Sequence, residues 1–76
     1  MSEETIKALE GMRIECLDKL GTFEKLDYNR YEYYHNLLLE CETILENNHL
    51  GVISDREKER AEEIKSMWLK LKGEQA

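Results

Sequence analysis

Two glutamate–histidine pairs come closest to a metal-binding or catalytic pattern in this chain. Glu32–His35 and Glu46–His49 both have the Glu-x-x-His spacing. In four-helix bundles this spacing supplies ligands to di-iron sites, together with a glutamate from each of two other helices. Here both pairs fall on one predicted helix, 14 residues apart, so they cannot share a metal within one chain. Only Glu57 is a glutamate on an inward-facing stripe elsewhere, and we therefore predict no metal, no cofactor and no catalytic residue.

The two cysteines, Cys16 and Cys41, are the other candidates for chemistry. If the first two helices turn at Gly21–Thr22, Cys41 lies about 21 Å along the second helix from the position opposite Cys16. A disulfide tolerates only about 7 Å between Cα atoms. We therefore predict two free thiols that pack in the core as small apolar residues, as expected in a reducing compartment.

The composition predicts one small helical domain over residues 1–76. Of the 76 residues, 37% are charged and 41% are hydrophobic, and there is no proline. A chain of this length forms one small core and encloses no substrate cavity. No apolar run approaches the roughly 20 residues of a membrane span, and the acidic, amphipathic start is not typical of a signal peptide. We expect a cytoplasmic protein without membrane contact.

Apolar residues recur at helical spacing in three segments, about 2–20, 23–48 and 55–72. Ser2 is predicted to cap the first helix, and Gly21 to end it in the left-handed conformation. Thr22 is predicted to cap the second helix, with Asp27 as a competing start. The second helix ends at Asn47–Asn48 or at Gly51.

The third helix has the clearest start signal, because Ser54 and Glu57 have the spacing of a capping box. Three helices with short connections predict an all-α fold, a small antiparallel three-helix bundle made of a long helical hairpin and a third helix. In the alternative arrangement, the third helix packs only in a dimer, which completes the bundle.

Most of the large apolar residues are predicted to face the core of this bundle. They are Ile6, Leu9, Cys16, Leu17 and Leu20 in the first helix; Phe23, Leu26, Tyr33, Tyr34, Leu37, Cys41, Ile44 and Leu45 in the second; and Ala61, Ile64, Met67, Trp68 and Leu71 in the third. Leu50, Val52 and Ile53 are predicted to close one end of the core. Gly11 indicates close helix packing. Arg13 is expected to extend its charged end into solvent, to form an ion pair with an acid of the second helix, or to contact a partner.

A second stripe runs along the other side of the second helix at a heptad-like spacing. Tyr31 and Leu38 lie between the two faces, and a middle helix that touches both neighbours explains them. Contact with both neighbours explains Tyr28, His35 and Leu39 less well, because these residues point away from any single core. Tyrosine suits an interface, since it can bury its ring and keep its hydroxyl hydrated. We predict a surface for a protein partner or for self-association, made of Tyr28, Tyr31, Glu32, His35, Leu39, Glu42 and Glu46.

The charge distribution disfavours direct nucleic-acid binding. The net charge is −6, and there is no lysine or arginine from Tyr31 to Asp55, whereas nucleic-acid affinity comes mainly from basic side chains. We predict a non-enzymatic protein that acts by protein–protein contact, as a homo-oligomer such as a homodimer or as a regulator or inhibitor of a larger protein. The larger protein could be one that handles nucleic acid. Small inhibitors encoded by phages are similar to this chain in size and charge. The alternative is a nucleic-acid-associated domain that uses basic residues of the third helix, Arg56, Lys58, Arg60, Lys65, Lys70 and Lys72.

Overall fold

The computed structural model of the protein describes residues 1–22 and 27–75, and over these residues it is all-helical, without a strand. The three helices are α1 (Glu3–Leu20), α2 (Tyr28–Leu50) and α3 (Asp55–Gln75). The predicted fold class, a small three-helix bundle, is therefore confirmed.

Helix α1 begins as the sequence indicates but ends differently. The Ser2 hydroxyl oxygen accepts a hydrogen bond from the backbone N–H of Thr5 at 3.2 Å, and acids in the first turn suit the positive end of the helix dipole. Gly21 follows the last turn with φ −65° and ψ −18°. The predicted left-handed conformation is wrong, because the chain leaves α1 through a right-handed turn that any residue can adopt.

Helix α2 is capped by Asp27, so the prediction of Thr22 as its cap is wrong. The Asp27 carboxylate accepts from the Arg30 N–H at 2.8 Å, whereas the Thr22 hydroxyl donates back to the Lys19 carbonyl at 3.0 Å. The helix thus begins five residues later than the predicted position 23. The predicted core residues Phe23 and Leu26 lie outside the described residues.

The connection between α2 and α3 has a known capping motif at each end. Gly51 has φ 75°, and the N–H groups of Gly51 and Val52 bond the carbonyls of Asn48 and Asn47, at 3.2 and 2.9 Å. This is a Schellman motif, in which glycine takes the left-handed position at the helix end. The capping box that opens α3 is also present, because Glu57 accepts from the Ser54 N–H at 3.1 Å and donates its own N–H to the Ser54 hydroxyl at 3.2 Å.

Helix α1 is the central element of the bundle. It packs against both α2 and α3, which have little backbone contact with each other. Arg13 pairs with Glu42, and Lys19 further along α1 shares a pocket with Tyr33, so α1 runs antiparallel to α2. Thr5 bonds Glu62 and Gly11 contacts Trp68, so α1 runs parallel to α3. The molecule is flattened, with extents of 38 × 26 × 16 Å.

The core lies where α1 meets the other two helices. Its buried hydrophobic residues are Ala8, Leu9, Met12 and Cys16 of α1; Leu37, Leu38, Cys41 and Ile44 of α2; and Ala61 and Ile64 of α3. Ile53, Met67 and Trp68 are partly buried against them. Most of the predicted core residues among the described ones are thus found in or against the core.

Four predicted core residues are exposed instead, Leu17, Tyr33, Leu50 and Val52. Since α1 and not α2 packs on both neighbours, α2 needs only a narrow buried face, and Tyr33 lies outside it with its ring edge-on to Tyr34. Leu50 and Val52 flank the left-handed turn at Gly51, which directs them away from the core. Of the three residues predicted to close this end, only Ile53 packs against the core.

Both cysteines are buried free thiols, as predicted, but their predicted separation is wrong. Arg13 lies beside Glu42, so Cys16 and Cys41 occupy neighbouring levels of the hairpin rather than positions about 21 Å apart. The predicted distance assumed a turn at Gly21–Thr22, whereas α2 begins only after Asp27. Burial raises the pKa of Cys16 to about 11 and that of Cys41 to about 12, and for Cys41 the neighbouring Cys16 thiol adds to the effect.

Because the thiolate is the reactive form of cysteine, neither thiol should react with iodoacetamide in the folded protein at neutral pH. Both should react once the chain is unfolded in urea. Mass spectrometry after each treatment measures the number of alkylated thiols. Rapid alkylation of the native protein would contradict the burial of these two side chains.

Gly11 provides the close approach between α1 and α3 that the sequence indicated. A Cβ atom at this position would lie 2.5 Å from Cζ2 and 2.7 Å from Cε2 of Trp68. The indole ring therefore packs directly on the backbone of α1. Gly73, which is also helical, has no atom within 4 Å of the corresponding Cβ position.

Gly11→Ala should consequently lower stability, whereas Gly73→Ala should not. Alanine favours a helix over glycine by up to about 1 kcal/mol, so Gly73→Ala should leave the free energy of unfolding unchanged or raise it. At Gly11 the clash with Trp68 costs about 1–3 kcal/mol, which outweighs this gain and lowers stability. Urea denaturation followed by circular dichroism measures both, and equal effects at the two sites would show that the indole ring does not pack on Gly11.

Candidate protein interface

The seven residues of the predicted surface all lie on α2, and all are exposed. Tyr28 is 76% exposed and Leu39 is 49% exposed, so neither contributes to the core. We call this set the outward face of α2; its members are Tyr28, Tyr31, Glu32, His35, Leu39, Glu42 and Glu46. The structure divides the face into two rows that differ in their neighbours.

The first row, the α1-side row, consists of Tyr31, His35 and Glu42. Tyr31 and His35 are one turn apart, and their rings stack with centroids 6.1 Å apart and planes 10° from parallel. The Glu42 carboxylate forms an ion pair with Arg13 of α1 at 3.5 Å. This confirms the ion-pair alternative for Arg13, although such an exposed pair contributes little to stability.

Leu17 of α1 extends the α1-side row and was missed as a surface residue. Leu17 lies one turn after Arg13, and Leu38 lies one turn before Glu42, so the antiparallel helices place the two leucines side by side. Leu38 is buried, whereas Leu17 is exposed together with Ile14. The apolar spacing of α1 placed Leu17 on the core face, and nothing in that spacing distinguished it from Leu9 or Cys16.

The second row, the outer row, consists of Tyr28, Glu32, Leu39 and Glu46. At about 100° per residue these four positions fall within roughly 40° of one another, opposite the core of the bundle. Among the residues that the structure describes, Glu32 and Glu46 form no ion pair. The outer row thus presents two carboxylates that pair with no described base, with Leu39 midway between them.

Leu39 also lines a groove of about 350 Å³ between α2 and α3. The buried Ile44 contributes to its lining from α2, and Arg56 and Arg60 contribute from α3. The groove exists because these two helices pack on α1 rather than on each other. The spacing of residues within one helix cannot predict this groove, since its walls come from two helices. The groove is lined by Leu39, Glu40, Thr43, Ile44, Arg56, Glu57 and Arg60.

Polar contacts join α2 to α3 across this groove. The Arg60 guanidinium donates two hydrogen bonds to Glu40 of α2, at 2.5 and 3.2 Å, and a third to Glu63 at 2.8 Å. These hydrogen bonds raise the pKa of Arg60 above its ordinary value, and the bonds to Glu40 have the largest effect. Arg60 therefore stays charged, and its charge is compensated within the bundle.

A second contact joins the helices at the turn between them. The Asn47 side chain donates to the Glu57 carboxylate at 2.7 Å, and the same carboxylate accepts from the Ser54 N–H. The Ser54 and Asn47 bonds lower the pKa of Glu57 below its ordinary value of 4.5. Glu57, the inward-facing glutamate of the sequence, thus serves as a helix cap and an interhelix contact.

Most of the basic residues that the alternative nucleic-acid hypothesis requires are engaged within the bundle. Lys65 lies 3.6 Å from Glu4 and 3.8 Å from Glu62, and Lys58 lies 4.0 Å from Asp55. The Lys72 ammonium is 4.9 Å from the centroid of the Trp68 ring. With Arg60 also paired, three of the six basic residues of the alternative hypothesis form ion pairs, whereas Arg56, Lys70 and Lys72 form none with a described residue.

Over the described part of the chain, no three histidine, cysteine, aspartate or glutamate side chains come together as a metal-binding group. Within the same residues, no helix is both long and apolar enough to cross a bilayer. Comparisons of the chain with protein-family models, with curated proteins and with solved structures find no match. The arrangement of residues on α2 and α3 is therefore the basis for the functional argument.

The hydrogen bonds of Glu57 predict a pH-dependent effect of Glu57→Gln. Because the pKa of Glu57 is lowered by folding, its contribution to stability is present above the ordinary carboxyl pKa and is lost as pH falls through the lowered value. Glu57→Gln should therefore reduce the urea midpoint at neutral pH, and the difference from the wild type should vanish in strong acid. Glu59→Gln, which removes an exposed carboxyl from the same helix, controls for the loss of charge; an equal effect of both substitutions at neutral pH would refute the role of the cap.

Proposed function

We propose that this protein is non-enzymatic and acts through protein–protein contact, with the outward face of α2 as its binding surface. In this proposal it acts as a homo-oligomer, or as a regulator or inhibitor of a larger protein. The observation that carries the proposal is the exposure of large apolar residues on α2, above all Tyr28 and Leu39. Because α1 is the central helix, the bundle has no internal use for these side chains.

The composition of the face supports binding to protein rather than to lipid or nucleic acid. Interfaces are enriched in aromatic residues, which bury a large area and lose little conformational entropy. The face combines two tyrosines, a histidine and a leucine with three glutamates. Such a surface is complementary to a basic groove that contains apolar contacts, including a groove that otherwise receives nucleic acid.

The size of the chain supports the same interpretation. A domain of 76 residues has a small core, and domains of this size are often stabilised further by self-association or by a partner. Leu17, which is exposed beside the α1-side row, adds apolar area to the same side of the hairpin. A partner that covers the outward face would therefore also shield Leu17 from water.

The double variant Tyr28→Lys/Leu39→Lys tests the proposed surface. Both residues are exposed, so the helical content should stay unchanged, while binding should weaken by at least about tenfold because interface anchors carry most of the affinity. Sizing of the purified protein measures self-association, and quantitative pull-down from a lysate of the source organism measures capture of a partner.

Leu69→Lys is the matched control, because Leu69 of α3 is 54% exposed and lies off the outward face. It introduces the same charge at similar exposure and should leave association unchanged. If association survives in the double variant, or if Leu69→Lys reduces it equally, the binding surface is not the outward face.

A further inference from the structure

The outer row has a regular spacing that specifies the chemistry of a partner helix. Glu32 and Glu46 lie seven residues before and seven residues after Leu39. Seven residues are about two helical turns, so each carboxylate lies about 10.5 Å along α2 from Leu39 and within roughly 20° of the same side. This is the heptad spacing at which a second helix follows the first.

The groove beside Leu39 supplies a place for one side chain of such a helix. Its volume of about 350 Å³ is at the lower end of the range for small-molecule sites and leaves ample room for a leucine- or phenylalanine-sized group. Ile44 and Leu39 give it apolar contacts. The Arg60–Glu40 and Asn47–Glu57 contacts hold the two walls at their spacing.

The charges around the groove determine where the basic residues of the partner belong. Two acids, Glu40 and Glu57, and two bases, Arg56 and Arg60, line the groove itself. Its charges therefore balance, and the lining offers a basic side chain beside the apolar anchor no net negative charge. Glu32 and Glu46, two turns away in either direction, form no ion pair with any described residue. The favourable positions for basic side chains are therefore seven residues before and seven residues after the anchor.

A second copy of this chain does not meet these requirements. Two α2 helices packed antiparallel through their outer rows, with Leu39 opposite Leu39, place Glu32 of one copy opposite Glu46 of the other. A parallel arrangement places each glutamate opposite itself. Like charges that face each other across an interface are unfavourable, and either arrangement brings together two copies that each carry a net charge of −6.

We propose that the outer row docks an amphipathic helix of a different protein, with one large apolar residue in the α2–α3 groove and lysine or arginine about two turns away on each side, opposite Glu32 and Glu46. This inference rests on the proposed function and specifies its partner. Tyr28 extends the contact by one further turn beyond Glu32. The apolar anchor supplies most of the affinity, and the two charge pairs set the register and the choice of partner.

Synthetic helical peptides about three heptads long test this proposal. The probe peptide carries leucine at its centre and lysine seven residues to each side, on an alanine and glutamine background. One matched peptide has glutamate in place of both lysines, and another has alanine in place of the central leucine. Titration of isotope-labelled protein, followed by NMR up to millimolar peptide, gives both the affinity and the location of binding.

The lysine peptide should bind at least about fivefold more tightly than the glutamate peptide, since two exposed charge pairs distinguish them. It should also bind at least about fivefold more tightly than the alanine peptide, which lacks the buried anchor. The largest shifts should fall on Leu39, Thr43 and Ile44. The variant Glu32→Lys/Glu46→Lys should reverse the preference and bind the glutamate peptide more tightly, with helicity unchanged.

Absence of binding by the lysine peptide at millimolar concentration overturns the proposal. So does equal affinity for the lysine and glutamate peptides, or a shift pattern away from the groove. These outcomes are separate from failure of the proposed function, which the Tyr28→Lys/Leu39→Lys variant decides. If that variant loses association and the peptides show no charge preference, the outward face is an interface whose partner is not a basic helix.

Discussion

The packing of α1 against both other helices is the constraint on which the rest of this structure depends. Its buried face, with Leu9, Met12 and Cys16, supplies the core contacts for α2 and for α3. Since those two helices have little backbone contact with each other, the bundle is flattened and a groove stays open between them. The same arrangement frees the far side of α2 from any role in the core.

The charged residues of the chain divide into two groups with different roles. Arg60, Glu40 and Glu57 join α2 to α3 where apolar packing between them is sparse. Glu32 and Glu46 have no such contact among the described residues and lie seven residues on either side of Leu39, which lines the groove. The acids that join α2 to α3 are thus separate from Glu32 and Glu46, so the outer row can change its charge without breaking those contacts.

Local signals predicted the helices well where the deciding chemistry is local. The caps at Ser2 and at Ser54–Glu57 and the end at Gly51 are present because each depends on residues a few positions apart. The start of α2 was predicted wrongly because Thr22 and Asp27 are both good caps, and the sequence does not rank them. That error moved the register of the hairpin, and with it the predicted distance between Cys16 and Cys41.

The outward face was predicted from spacing alone, because a residue's angle around a helix follows from its position in the sequence. By itself the sequence therefore determined the three helices, most of the buried residues, and the existence of an apolar and acidic stripe on α2. The tertiary structure decided that α1 is central, that Leu17 and Tyr33 are exposed, and that Leu39 borders a groove. These features depend on which helices pack together, and that is set by contacts between residues far apart in the chain, which no single helical period contains.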